Sequence, residues 1–214
     1  MRLHGGRGES CDHFPSYCGK PLSRPALPAS VKVLCLSGMP GCGKEEFVRV
    51  AEELGFSIVR MGDTVREEAA RRKLATTDTA IGGFAHSERE AHGYAIWAER
   101  TLPRMKGEHI LIDGLRGTAE LDVFRRSLGE SLQVVAIHAA PRVRFARLRQ
   151  RSRSDAPATW EEFLARDVRE LAWGLGNVIA TADFLIVNEG DLGAFRARAR
   201  EVLETVLGGS THVP

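Results

Sequence analysis

The glycine-rich stretch at residues 38–44 constrains this chain more than any other feature. An apolar, β-branched run at residues 31–36 precedes it, and apolar residues at helical spacing follow it from Phe47 to Leu54. Strand, glycine loop and helix in this order are the context in which G-x-x-x-x-G-K binds phosphate. Glycines let successive backbone N–H groups surround a phosphate, and the helix N-terminus adds partial positive charge. The pattern therefore predicts a phosphate-binding loop (P-loop).

This loop supplies the predicted nucleotide-binding residues, which are Gly38, Met39, Pro40, Gly41, Cys42, Gly43, Lys44 and Glu45. Lys44 is expected to reach the β- and γ-phosphates of ATP as a mobile cation. Glu45 stands where Ser or Thr holds Mg²⁺ in the full motif. Its carboxylate is predicted either to ligate the metal or to point to solvent, where the helix N-terminus still favours negative charge.

Composition sets outer bounds on the fold and on the partners. A chain of 214 residues, 43% of them apolar, predicts one or two domains with a buried core. The net charge of only +2 argues against bulk nucleic-acid binding. The sequence contains no stretch of about 18 consecutive apolar residues, so it predicts no membrane span.

Residues 1–30 differ from the rest in composition. They are rich in Gly, Pro and Ser and lack apolar periodicity, so we predict a disordered extension whose deletion leaves nucleotide binding intact. They also lack the apolar segment of a signal peptide. Cys11 and Cys18 have a spacing that fits no usual zinc site, and the four cysteines form no disulfide framework. We therefore predict a reduced, cytoplasmic protein. Separately, residues 208–214 are predicted to form a short C-terminal tail.

A second strand is predicted at residues 56–61, followed by a helix through Arg72 with Asp63 or Thr64 as its N-cap. The run MGDTVREE resembles the acceptor-binding segment of adenylate kinases. That resemblance implies that Asp63 starts the helix and that Arg66 binds the acceptor phosphate, for which arginine offers a bidentate match. The alternatives are a plain cap and a solvated charge.

Residues 73–106 predict a polar, mostly helical insert. Thr77 is a candidate cap, residues 82–83 (Gly-Gly) are expected to interrupt the helix, and Ser87 to start a longer one. The polar face of that helix is expected to be solvated and to carry local ion pairs. Arg89 and Arg100 are secondary candidates for contact with an acceptor.

Asp113 ends the strand predicted at residues 109–113, and the carboxyl ends of strands face the ligand in open α/β sheets. It is the predicted Mg²⁺-positioning acid, with a turn residue as the alternative. The run IDGLR resembles the D-G-F-P-R of adenylate kinases with one residue fewer. This resemblance implies that Arg116 contacts the acceptor phosphate.

An arginine-rich segment follows the strand at residues 133–138, with Pro141 at the first position of a helix. Six arginines and no acid lie in residues 142–153. Two interpretations stay open, a solvated helix or a lid over the transferring phosphates. Arg144, Arg147 and Arg151 are expected on one face. Phe145 and Leu148 are expected on another.

The last predicted elements are a helix at residues 160–173, a strand at 182–188 and a helix at 191–207. The first of these helices has Trp160, Phe163, Leu164 and Leu171 as its expected core face, and its acids are expected on a salt-bridged surface. A-D-x-x-I-x-N-x-G resembles the end of dephospho-coenzyme A kinases, which would place Asn188 beside the adenine. A plain strand-to-helix turn is the alternative.

Taken together, residues 31–207 resemble adenylate-kinase-related P-loop kinases, and more closely an archaeal family that is adenylate-kinase-like and dephospho-coenzyme-A-kinase-like. The runs that carry the likeness are GMPGCGKEE, MGDTVREE, IDGLR, RSDAPATWEEF and RELAWGLGNVIATADFLIVNEG. The βα rhythm predicts a three-layer α/β domain with parallel strands. The resemblance implies a P-loop NTPase fold with five strands in the order 2-3-1-4-5, an acceptor-binding insert at residues 62–106 and a lid at residues 142–160.

The implied activity is transfer of the ATP γ-phosphoryl group to a nucleoside monophosphate or similar nucleotide, with Mg²⁺. The predicted catalytic residues are Lys44, Asp113, Arg147 and Arg151; the acceptor residues Asp63, Arg66 and Arg116; and the metal ligands Asp113 and Glu45. Alternatives are a dephospho-coenzyme-A-type kinase, a nucleotide sensor and an RNA-associated ATPase. The near-neutral charge argues against the last of these. The acceptor and the oligomeric state stay open.

Overall fold

The computed structural model describes residues 31–75, 77–151 and 156–208, so the expectations for residues 1–30, 152–155 and 209–214 lie outside it. The strands in the described part are β1 Lys32–Ser37, β2 Ser57–Arg60, β3 His109–Asp113, β4 Leu132–His138 and β5 Phe184–Val187. All pair in parallel in the order β2-β3-β1-β4-β5. This confirms the predicted sheet. In its register, Asp113 lies opposite Leu36 on one side and Arg60 on the other.

Helices cover both faces of this sheet. They are α1 Lys44–Glu53, α2 Met61–Arg71, α3 Asp78–His92, α4 Ile96–Thr101, α5 Thr118–Leu128, α6 Pro141–Gln150, α7 Trp160–Ala172, α8 Leu175–Ala180 and α9 Leu192–Gly208, with 3₁₀ turns at Leu102–Arg104 and Gly129–Ser131. Of the described helices, none is long and apolar enough to span a membrane.

Two apolar clusters, one on each side of the sheet, make up the core. In β1, Val33 and Cys35 pack on the side that includes Trp97 of α4 and Phe124 of α5. Leu34 and Leu36 alternate with them and pack on the side of α1 and α9. Successive strand residues point to opposite faces, so a strand covered on both faces must be apolar throughout. The continuous apolar run before the P-loop is therefore the middle layer of a three-layer domain.

The cap predicted at Thr77 is confirmed, but the interruption and the second helix start predicted in the insert are wrong. α3 begins just after Thr77, whose Oγ1 accepts a hydrogen bond from Ala80 N at 3.3 Å, and it runs through residues 82–83. The expected start at Ser87 therefore lies inside a helix. The break comes at Gly93, whose φ is 94°. Two helical glycines cost about 1 kcal/mol each, and packing of the insert onto the core overrides that local preference.

Two residues of the polar face of α3, Glu88 and Arg89, are buried rather than solvated, whereas Glu90 is exposed as predicted. Glu88 accepts hydrogen bonds from Arg72 at 2.7 and 3.0 Å, and a nitrogen of Arg100 lies 2.7 Å from it. The buried guanidinium of Arg89 donates to Glu120 of α5 at 3.0 Å. The expected ion pairs are present, but they hold the insert to the core. Neither Arg89 nor Arg100 lines the cleft at the P-loop.

The core face predicted for α7 is wrong in part. Phe163 is buried, whereas Leu164 and Leu171 are exposed. The positions that share the buried face with Phe163 are Asp167 and Glu170. The apolar pattern therefore predicted the wrong buried face for most of α7, because two carboxylates of this helix point inward. Their partners, Arg144 and Arg116, lie at the candidate site.

Candidate active site

The P-loop joins β1 to α1, and neighbouring elements approach it too closely for side chains. Gly43 has a φ of 110°, and a Cβ there would lie 2.2 Å from Asn188 Nδ2. That amide donates to Cys42 O at 2.8 Å. A Cβ on Gly41 would lie 2.8 Å from the carbonyl oxygen of Arg144 in α6. The glycines are therefore needed both for left-handed backbone and for close packing.

Lys44 extends over the carbonyl groups of this same loop. Its Nζ donates to Gly38 O at 2.6 Å and to Met39 O at 3.4 Å, and lies 3.8 Å from Cys42 Sγ. Its nitrogen is thereby held at the mouth of the loop, beside the cleft that the loop lines. This is the position from which a cation can contact phosphates bound by the loop amides.

The carboxylate of Glu45 is paired with Arg60, an arginine that sequence reasoning missed. Arg60 Nη1 donates to Glu45 Oε2 at 3.1 Å, and Nη2 donates to Glu45 Oε1 at 3.2 Å. The same Nη1 donates to Asp113 Oδ2 at 3.3 Å. A charged residue at the carboxyl end of a short strand was the available signal.

The charges around Asp113 act in opposite directions. Burial raises the pKa of its carboxyl group above the usual value, while Lys44 and Arg60 lower it and Glu45 raises it further. The hydrogen bond from Arg60 to Glu45 is the main cause that raises the pKa of the guanidinium.

The two carboxylates form a partial donor set for Mg²⁺, which water or nucleotide phosphates would complete. Glu45 and Asp113 offer hard carboxylate oxygens, which Mg²⁺ accepts together with substrate phosphates and water. Among the described residues, no group of three or more His, Cys, Asp or Glu could hold a metal ion. The two carboxylates therefore fit a metal that arrives with phosphate oxygens.

The start of α2 differs from the prediction. The helix begins at Met61 with Arg60 as its N-cap, so Asp63 lies in the first turn and neither it nor Thr64 is the cap. Arg66 Nη2 donates to Asp63 Oδ1 at 2.5 Å. Arg66 is exposed and lines the cleft, so the resemblance located the arginine correctly relative to the P-loop while misplacing the helix boundary.

Arg116 lies on another wall of the cleft and is held by acids. Its Nη1 donates to Glu170 Oε1 at 3.2 Å, and its backbone N–H donates to Glu120 Oε2 at 2.8 Å. Glu170 is only 3% exposed, in contrast to the salt-bridged surface predicted for it. Sequence reasoning missed Glu170 and Arg166 as cleft residues, and no local signal marked either.

The arginines of α6 do not lie together on one face, contrary to the prediction. Pro141 is at the first position, as predicted. Arg144 is buried with Leu148, four residues on, so the expected separation of these two is wrong. Arg144 binds both oxygens of Asp167, at 2.8 and 2.5 Å, and also donates to Pro40 O of the P-loop at 3.2 Å.

The two arginines proposed for the lid have different positions. Arg147 donates to Asn188 O at 2.9 Å and to Asn188 Oδ1 at 3.4 Å, and it is outside the lining of the cleft. Arg151 lines the cleft. Asn188 therefore connects Arg147 to the carbonyl group of Cys42 and lies beside the P-loop.

A single cleft of about 290 Å³ brings most of the predicted residues together. Its predicted members are Gly38, Pro40, Gly41, Gly43, Lys44, Glu45, Arg66, Asp113, Arg116 and Arg151. With Arg60 and Arg166, the described lining has six cationic side chains against the carboxylates of Glu45, Asp113 and Glu170. A concave site with such an excess of positive charge attracts polyanions.

A parallel sheet in this order, with a P-loop after its central strand, defines a P-loop protein of kinase-like fold. A family model described as an AAA domain matches residues 37–163. The chain is 47% identical over 172 residues to a UPF0200 protein of Thermoplasma acidophilum, covering 80% of this chain and 94% of that protein. It is 46% identical over 179 residues to a UPF0200 protein of Methanopyrus kandleri, covering 83% and 91%. The chain belongs to the UPF0200 family.

Solved structures share the fold at low sequence identity. A shikimate kinase from Bacteroides thetaiotaomicron superposes with a TM-score of 0.57 at 15% identity, covering 81% of this chain and 98% of that chain. A gluconokinase from Sinorhizobium meliloti gives 0.52 at 15% identity, covering 83% and 94%. At this identity the likeness defines the architecture, and the reaction must be argued from the site.

Proposed function

We propose that this protein is a phosphotransferase that moves the γ-phosphoryl group of ATP to a nucleoside monophosphate or a similar nucleotide, with Mg²⁺. One observation carries the proposal: the P-loop lysine, the half-buried acid Asp113 and a set of arginines all line one cleft. Phosphoryl transfer requires little covalent chemistry from a protein, so positioning and charge stabilisation are the functions that such a site has to supply.

The donor half of the proposed site consists of the P-loop and the two carboxylates. Backbone N–H groups and Lys44 would hold the β- and γ-phosphates, and Asn188 would keep the loop in place through Cys42 O. Glu45 and Asp113 would hold Mg²⁺, which when bound neutralises charge on the β- and γ-phosphates. Arg147, bound to Asn188, would position this support and would have to leave it to reach the transferring group.

The acceptor half consists of Arg66 and Arg116, supported by Asp63 and Glu170. Arginine binds phosphate bidentately, and the two guanidinium groups lie on different walls of the same cleft. Arg151 would neutralise charge between the two halves. An acceptor that already carries a phosphate needs no general base, which agrees with a cleft in which cations outnumber acids.

The test is a phosphoryl-transfer screen with ATP and Mg²⁺ against the nucleoside monophosphates and dephospho-coenzyme A. Formation of ADP and of a phosphorylated nucleotide supports the proposal. Transfer to dephospho-coenzyme A alone would assign the other acceptor class. Tight ATP binding without transfer to any nucleotide would favour a sensor and would overturn the proposed reaction.

Replacing Arg66 or Arg116 with alanine is expected to weaken acceptor binding by about 10- to 100-fold, the order expected from 1.5–3 kcal/mol for a hydrogen bond to a charged group. ATP affinity should change much less, because these side chains pair with Asp63 and Glu170, which lie outside the P-loop. The measurement compares KM for the acceptor with the ATP affinity from calorimetry.

Arg71→Ala is the matched control for Arg66, because Arg71 is an exposed arginine of the same helix that pairs with Glu68 outside the cleft. It should leave both affinities unchanged. If Arg66→Ala and Arg116→Ala weakened ATP and acceptor equally, these arginines would not define an acceptor site.

A further inference from the structure

Arg60 lies where a metal ion would be expected to lie. Its Nη1 is within hydrogen-bonding distance of oxygens from two carboxylates at once, 3.1 Å from Glu45 and 3.3 Å from Asp113. These are the two carboxylates at the mouth of the P-loop that could ligate Mg²⁺. The position of each carboxylate follows from the fold alone, because Glu45 comes directly after the P-loop lysine and Asp113 is the last residue of β3.

A guanidinium and a divalent cation cannot occupy this gap together. Mg²⁺ binds carboxylate oxygens at about 2.0–2.1 Å in near-octahedral geometry. Arg60 uses both of its terminal nitrogens on Glu45, so it occupies one lone pair of each oxygen of that carboxylate. The two cations would also repel each other at contact distance. A metal ion and the Arg60 guanidinium would therefore compete for the same two carboxylates.

We propose that Arg60 is a built-in counter-ion of the metal site, which neutralises Glu45 and Asp113 until nucleotide-bound Mg²⁺ takes its place. The inference rests on the proposed function and adds a regulatory step to it. Without the guanidinium, two carboxylates would face the incoming triphosphate and repel it. With Arg60 in place, the P-loop accepts phosphate without that penalty, and Glu45 is compatible with nucleotide binding.

The side chain of Arg60 has room to leave. It is 29% exposed and borders the same cleft as Arg66. A guanidinium displaced from the carboxylates remains among the residues proposed for the acceptor. Loading of the donor half would therefore add a cation to the acceptor half. Because Arg60 offsets the charge of Glu45, ATP binding is also expected to depend less on Mg²⁺ than it would without this arginine.

The test compares the wild type with Arg60→Gln, which removes the charge and keeps a polar side chain. ATP affinity is measured by calorimetry with Mg²⁺ and with a chelator. The ratio of the two affinities is expected to be about tenfold larger in Arg60→Gln, the order expected for loss of one charged contact. The double variant Arg60→Gln, Glu45→Gln should return the ratio toward the wild-type value, since the negative charge of Glu45 is then removed as well.

A second measurement uses Mn²⁺ alone, followed by electron paramagnetic resonance, so that it requires no nucleotide. Arg60→Gln is expected to bind Mn²⁺ about tenfold more tightly than the wild type because the competing cation is gone. Arg60→Lys keeps one charge without the fork and should fall between them. Arg49→Gln, which removes an exposed partner of Glu46 on α1, should match the wild type.

Equal Mn²⁺ affinity in the wild type and Arg60→Gln would overturn the counter-ion role, as would weaker binding in a variant that melts like the wild type. Failure of the proposed function gives a different result. In that case the wild type binds no ATP under either condition, while the Mn²⁺ titration still reports whether Arg60 competes for the two carboxylates.

Discussion

Replacing Lys44 with alanine is expected to reduce ATP-dependent phosphoryl transfer by at least about 10²–10³-fold, the cost of removing one preorganised donor to developing charge. In the described part of the chain, the hydrogen bonds of Lys44 go to acceptors of its own loop, namely Gly38 O, Met39 O and Cys42 Sγ. A bound triphosphate would offer the ammonium a stronger partner, and the bonds to the loop would be exchanged for it. The loss should therefore appear in kcat and in ATP affinity rather than in folding.

The matched control is Lys32→Ala. Lys32 belongs to the same β1 strand but lies at its amino end, whereas the loop follows its carboxyl end. Both variants are assayed for turnover with the acceptor found in the screen, and for melting temperature. A Lys44→Ala protein with unchanged turnover would show that this loop does not hold the transferring phosphate, whatever the control does.

The predicted features that the structure contains are those whose signal is local. The P-loop was found because strand, glycines and helix are adjacent in sequence, and each glycine has a backbone or packing reason to be there. Asp113 was found because an acid ending a buried strand is a local pattern as well. Helix α2 was found, but its start was not, because a cap depends on backbone angles that Asp63 and Thr64 could equally have supported.

Arg60 was missed because its importance depends on strand pairing. Only the register between β2 and β3 brings it opposite Asp113, 53 residues away. Glu170 was missed for the same reason, since its partner Arg116 lies 54 residues away. Charge patterns along a sequence predict solvated faces by default, and here the long-range partners turned those charges inward.

The arginine-rich helix shows what residue type and spacing can predict about the position and partners of a side chain. Its arginines were predicted to share one face and one purpose. In the structure, Arg144 is buried against α7, Arg147 is bound to Asn188 and Arg151 lines the cleft. Successive turns of one helix therefore contact three different parts of the molecule. Spacing predicts which arginines are neighbours, but each partner is set by what packs against that turn.

Arg144 and Asp167 form a buried pair that supports the P-loop from the outside. Both side chains are at most 10% exposed, and the guanidinium also donates to Ala139 O and Pro40 O. It lies over the ring of Phe163, 4.9 Å from the centroid. Breaking such a pair leaves a charge that is neither paired nor hydrated, which is far more costly than removing both partners.

Arg144→Ala is therefore expected to lower the free energy of unfolding by about 3–5 kcal/mol, because Asp167 would remain buried without its partner. The double variant Arg144→Met, Asp167→Leu should recover most of this loss, since apolar side chains of similar volume can replace a buried ion pair at little cost. Arg142→Ala, at an exposed position of the same helix, should change stability by less than about 0.5 kcal/mol. Urea unfolding measures all three.

Nucleotide affinity separates the two roles of the pair. The double variant restores burial, but it cannot restore the hydrogen bond from Arg144 to Pro40 O. It should therefore unfold nearly like the wild type and still bind ATP more weakly, because the loop has lost an external support. If the double variant were as unstable as Arg144→Ala, the lost packing and backbone hydrogen bonds of Arg144 would explain the effect. An unpaired Asp167 would then not be its cause.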